Sequence, residues 1–184
     1  MNPEGPRSSA APEQSAPSEL AAIVLVCNGP GELATWVRPL AQRLHRDLPL
    51  RPLQPQASVG LQLVLVPCPN ATGSEHQVAE RMQLFERILP ARRFWWLLLR
   101  PRRHGPWPRQ GVVVFLGGDQ FWTVLLSARL RYRHLTYAEW VARWPRWNDQ
   151  LALMGAAAAQ RLPARWRSDC IASCSFAPSA PGRR

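Results

Sequence analysis

"AAIVLVCNGPGELATW", residues 21–36, is the stretch whose reading decides the fold. Ile23 to Val26 form a continuous apolar run rich in β-branched residues, as expected of a parallel strand covered on both faces. Asn28-Gly29-Pro30-Gly31 cannot continue that strand, and its glycines allow tight turning and close approach of a ligand to the backbone. Glu32, Leu33, Trp36, Val37, Leu40 and Leu44 then fall at helical spacing, with Pro39 either kinking the helix or opening a new one. Strand, glycine turn and helix together predict an open α/β sheet. In such sheets, ligands bind in the loops that leave the carboxyl ends of the strands.

Working outward, the same pattern recurs. Leu61 to Val66 read as a strand ending in "PCPNATGSE", after a proline-rich connector at 49–57. Glu75 to Ile88 predict a helix, with Val78, Met82, Phe85 and Ile88 or Leu89 on one face. Val112 to Leu116 predict a third strand, ending in Gly117-Gly118-Asp119-Gln120, and a helix runs from about Phe121 to Arg131. His134 to Ala138 predict a fourth strand and Leu151 to Met154 a short fifth. Alternating strands and helices give a Rossmann-like parallel sheet with helices on both faces, over residues 20–154. Residues 1–19 read as a disordered leader, and 155–184 as an irregular tail.

Right-handed crossovers place every strand-end loop on one edge of such a sheet. Four loops, Asn28–Glu32, Asn70–Ser74, Gly117–Gln120 and Glu139–Trp140, are therefore expected to meet along one crevice. Asp119 follows two glycines at a strand's end. A carboxylate there either takes a proton from an attacking hydroxyl or caps the following helix. Glu32 and Glu139 carry the same ambiguity. The turn Gly29-x-Gly31-x-x-Ala34 has the form of a dinucleotide fingerprint. The second strand lacks the carboxylate that would hold a ribose, so sugar or phosphate is the better expectation.

All 23 basic residues of the 184 are arginine, and the net charge is +11. Such an excess favours anionic partners, and it equally describes a solvated basic surface. No nucleic-acid-binding motif stands out, so no specific nucleic acid is expected. Cys27 and Cys68 sit at strand ends, while Cys170 and Cys174 lack paired zinc spacing, so the reading includes no metal and no cofactor. No stretch is long enough to span a membrane, and a cytoplasmic chain is expected. "FWWLLLRPRR", residues 94–103, joins large apolar side chains to arginines. It reads either as a core helix followed by a basic loop or as an interfacial patch. In the second reading Phe94, Trp95, Trp96, Arg100, Arg102 and Arg103 would hold the chain peripherally on an anionic membrane.

With these residues assembled, "IVLVCNGPGELATWVRPLAQRL" resembles the opening of lipid-A-disaccharide synthases and of related glycosyltransferase-like proteins of cyanobacteria. Gly31 and Glu32 stand where the synthase turn ends in Gly-Asp. "VVVFLGGDQFWTVLLSARLRYRHLTYAEWVARWPRW" is similar to a later synthase segment. The strings "NGPGE", "PCPNA", "FLGGDQF" and "YAEW" follow the order seen in the cyanobacterial group. The resemblance implies the N-terminal, acceptor-side half of a two-domain (GT-B) glycosyltransferase. Such an enzyme transfers a sugar from a nucleotide sugar to a lipid-linked sugar acceptor. It implies Asp119 as the group that activates the acceptor hydroxyl. The acceptor cleft would be lined by Asn28, Gly29, Gly31, Glu32, Asn70, Gly118, Gln120, Tyr137, Glu139 and Trp140. It also implies that the nucleotide sugar is held mainly by a second domain, so that this chain is an incomplete, inactive half.

Overall fold

The computed structural model describes residues 20–51, 53–69, 71–105, 107–139, 141–162 and 170–171. The leader at 1–19 and most of the tail, with Cys174, lie outside them. Eight strands form one sheet: β1 (Ala21–Cys27), β2 (Leu50–Arg51), β3 (Val59–Leu65), β4 (Arg87–Leu89), β5 (Gln110–Phe115), β6 (Arg133–Ala138), β7 (Gln150–Leu153) and β8 (Cys170–Ile171). The order is β2-β3-β1-β5-β6-β7-β8, with β4 also on β3, and every described pairing is parallel. With helices on both faces, this is the Rossmann-like α/β architecture.

Side-chain alternation along β1 builds both core layers at once. Leu25 and Cys27 pack with Leu61, Leu63 and Leu65 of β3 on one face. Ala22, Val24 and Val26 pack with Val64 and Val113 on the other. After the short α1 (Pro30–Glu32), the turn at Leu33–Val37 covers the first face through Leu33 and Val37, helix α2 (Arg38–Asp47) through Ala41 and helix α3 (Glu75–Met82) through Ala79. Helices α4 (Phe94–Leu99) and α5 (Gln120–Leu130) cover the second through Phe94, Leu97 and Leu126. A smaller cluster joins Ala138, Leu151 and Leu153 to Ala158 of α6 (Ala156–Gln160).

The chain does not break at Pro39. It widens into a π turn at Leu33–Val37, where the Arg38 N–H reaches back to Leu33 O, and Pro39 sits in the first turn of α2. Proline supplies no N–H, and a local change of helical register absorbs that loss. The helix expected over 75–88 ends at Met82, because Gln83 adopts the left-handed conformation at φ 53°. Arg87–Leu89 instead pair with Gln62–Val64 as β4. The connector at 49–57 contributes β2, and part of the expected irregular tail supplies α6 and β8.

His134 on β6 is buried. Its Nδ1 lies 3.2 Å from Trp147 O and its Nε2 3.2 Å from Thr136 Oγ1, which in turn donates to Asn148 Oδ1. Burial pushes the His134 imidazole below its ordinary value of 6.5, outweighing the opposing pull of Trp147 O and of the Asp149 carboxylate. The unfolded chain therefore takes up this proton at higher pH than the folded one. The contribution is complete above about 6.5 and is lost as pH falls through the folded value. Melting temperatures measured at pH 7 and pH 5 are expected to differ less in His134→Gln than in the unaltered chain. Equal differences would remove His134 from the account.

Candidate functional site

The helices after β1 and β5 leave toward opposite faces of the sheet, so the gap between these two adjacent strands is the topological switch point. A crevice of about 800 Å³ opens there, at the carboxyl edge. Gly31 and Glu32 come from the β1 loop, Gly117 to Gln120 from the β5 loop, and Tyr137 and Glu139 from the end of β6. Three of the four loops expected to converge do so. No described residue of the 71–74 loop lines this cavity. Glu75 draws that loop into its own turn by accepting from Thr72 N, Thr72 Oγ1 and Gly73 N at 2.6, 2.9 and 2.9 Å. Burial favours the neutral Glu75 carboxyl, yet these hydrogen bonds prevail and hold it below the ordinary carboxylate range. Asn70 and Trp140 lie outside the described residues.

Glycines place the Glu32 side chain. A Cβ at Gly29 would stand 2.6 Å from Glu32 Oε2, and one at Gly117 would overlap Glu32 Cγ. The carboxylate thus lies against the first glycine of the fingerprint turn, while Gly31, the glycine at which a dinucleotide pyrophosphate would approach the backbone, has open space around it. An anion held there opposes a second anion. Gly118 has φ 96°, a conformation that L side chains rarely adopt, and a Cβ there would also press Asn28 at 3.1 Å. Asn28 and Gly29 do not line the crevice; Asn28 lies behind Gly118, and its buried Oδ1 has no hydrogen-bond partner among the described residues.

Asp119 both lines the crevice and caps α5, its Oδ1 accepting from Phe121 N at 3.0 Å. Gln120 lines the crevice, and its amide also has partners within the chain. Its Nε2 donates to Val141 O at 2.8 Å and its Oε1 accepts from Arg143 N at 2.7 Å. Both ends of the amide hold the 141–143 segment against the crevice, so Gln120 positions this wall. Gln120→Ala is expected to cost about 1–3 kcal/mol in urea unfolding and to expose the 141–143 amides to hydrogen exchange. Unchanged exchange at Arg143 would contradict this role.

Trp36 and Arg143 line the crevice as well. Trp36 lies in the π turn and packs on Tyr137 with ring centroids 5.0 Å apart at 51°. Helical spacing marked it only as part of an apolar face, while π turns recur at functional sites. The crevice therefore offers three carboxylates, one guanidinium and an aromatic wall. Carboxylates accept from hydroxyls, and aromatic faces pack on the C–H surfaces of sugars. Cys27, beneath the turn, is buried, and desolvation pushes its thiol far up, with Glu32 and Glu75 adding to it. It is no nucleophile at neutral pH. Among the described residues no three His, Cys, Asp or Glu side chains gather as a metal would require.

The residues expected at a membrane divide. Phe94 is fully buried (0 % exposed) and belongs to the core. Trp95 and Trp96 are 51 % and 58 % exposed on the outer side of α4, and Arg100 and Arg103 are exposed beyond its end. The side chain of Arg102 lies outside the description. No described helix is long and apolar enough to cross a membrane.

Comparison with protein families, with curated proteins and with solved structures finds no match. The chemistry of the crevice therefore stands on its own residues.

Proposed function

We propose that the carboxyl-edge crevice is the acceptor site of a glycosyl transfer of the lipid-A-disaccharide synthase type. The observation that carries this reading is the convergence of Glu32, Asp119 and Glu139 with the Trp36–Tyr137 pair at the switch point. A lipid-linked sugar packs on the aromatic pair and donates its hydroxyls to the carboxylates. Asp119 takes the proton from one hydroxyl as that oxygen attacks the anomeric carbon of a nucleotide sugar. The new glycosidic C–O bond forms as the bond to the nucleoside diphosphate breaks, with inversion at carbon. Three carboxylates against one guanidinium make this crevice a poor place for a diphosphate, so the donor is held by other surface than this. Transfer depends on both sugars being brought into near-attack geometry. The sequence resemblance supports the same division between acceptor and donor sides.

A second reading is a non-catalytic sugar-binding module kept at a membrane, favoured by exposed Trp95 and Trp96 next to Arg100 and Arg103. Fluorescence titration tests what the two readings share. Glucosamine and N-acetylglucosamine are expected to perturb tryptophan emission, and Trp36→Phe to remove most of the change. A response that persists undiminished in Trp36→Phe would place binding elsewhere.

A further inference from the structure

A second cavity, of about 810 Å³, opens at the opposite edge of the sheet, where β5 begins and α5 ends. Five arginines from three segments line it: Arg100 and Arg103 after α4, Arg109 before β5, and Arg129 and Arg131 at the end of α5. Among the described residues no carboxylate lines it. Among the described residues Arg100, Arg103, Arg109 and Arg131 form no ion pair. Its walls are built rather than loose. Arg129 spends its Nε and Nη2 on Leu98 O and Leu99 O at 2.6 and 2.8 Å, tying α5 to the end of α4. Trp107 donates from Nε1 to Pro101 O at 3.0 Å, with the Arg87 guanidinium 4.6 Å over its ring. Tyr132 donates its hydroxyl proton to Pro108 O at 2.7 Å. Arg131 is held in the left-handed conformation by its N–H, which bonds to Ala128 O and Ser127 O.

Guanidinium groups crowded without a carboxylate repel one another until an anion with matching oxygen geometry sits among them, and phosphate fits their fork bidentately. We propose that this cavity binds a phosphate group bearing two or more negative charges. The site is independent of glycosyl transfer, because it shares no lining residue with the crevice. Its phosphate comes either free in solution or on the headgroup of an acidic lipid, which Leu99 at the rim and exposed Trp96 would meet.

The experiment has two arms, both at 0.15 M salt, on the full chain: calorimetry with inorganic pyrophosphate, and sedimentation with phosphatidylcholine vesicles with and without phosphatidic acid. Arg103→Gln/Arg109→Gln is expected to weaken binding about tenfold or more in the arm that binds. Arg43→Gln/Arg46→Gln, on α2 across the sheet, removes the same formal charge and is expected to change it less than about threefold. Both pairs are exposed, so neither disturbs the core. Arg131→Asn, which keeps a residue tolerant of the left-handed conformation, is the second variant and is expected to weaken binding likewise. Loss in the pyrophosphate arm assigns a soluble phosphate, and loss in the vesicle arm a headgroup. No binding in either arm, or an equal fall in the α2 pair, overturns the proposal.

Discussion

On the acceptor-site proposal, Asp119→Asn is expected to lower sugar transfer about 10²- to 10⁴-fold, while the melting temperature hardly moves. The contrast follows from the two duties of one side chain. As a cap, Asp119 gives a single oxygen to Phe121 N, and asparagine performs that task about equally well. As a base it must hold the proton that leaves the acceptor hydroxyl, which an amide cannot do. Asp119→Ala removes both functions and should add about 1 kcal/mol of destabilisation from the lost cap. The assay is transfer of a labelled sugar from a nucleotide sugar to a lipid-linked acceptor. Full transfer by the asparagine variant would leave Asp119 a helix cap and nothing more.

Gly117→Val is expected to weaken sugar binding about tenfold or more and to destabilise the fold by about 1–3 kcal/mol. The added Cβ would occupy the place of Glu32 Cγ, with Glu32 Cβ and Cδ only 3.1 and 3.2 Å from it. Glu32 must swing out, and the crevice loses one of its three carboxylates. The adjacent Gly118 offers no relief, since its φ of 96° already commits the turn. Glu32→Ala in the same chain supplies the comparison. If Gly117→Val binds sugar as tightly as the unaltered chain while Glu32→Ala does not, the groove is looser than this packing implies.

The sheet was legible because its central strand is apolar throughout. Ile23 to Val26 demand cover on both faces, and the glycine turn after them can only be a loop. The crevice followed from topology, since parallel strands bring their carboxyl ends to one edge. Other features turned on contacts that periodicity cannot see. Val78, Met82, Phe85 and Ile88 keep a helical spacing, yet Gln83 turns left-handed and Ile88 joins β4, an element too short to announce itself. The Asn70–Ser74 loop was placed at the crevice by position alone, whereas Glu75 gathers Thr72 and Gly73 to itself. Gln120 follows the catalytic candidate in sequence, but its amide faces Val141 and Arg143, twenty-one and twenty-three residues on. Phe94 shares one apolar run with Trp95 and Trp96, and only its burial between α4 and the sheet reveals which of the three turns inward. Arg143 lies in a loop with no periodic signal at all.

On the proposed reading the crevice accepts a neutral sugar and disfavours a dinucleotide, because the Glu32 carboxylate stands against Gly29 of the turn and opposes a diphosphate. Calorimetry of the chain with N-acetylglucosamine and with NAD, each repeated on Glu32→Ala, tests it most directly. The account predicts heat from the sugar that falls in Glu32→Ala, and none from NAD. Tight NAD binding by the unaltered chain, with no response to the sugar, would contradict it.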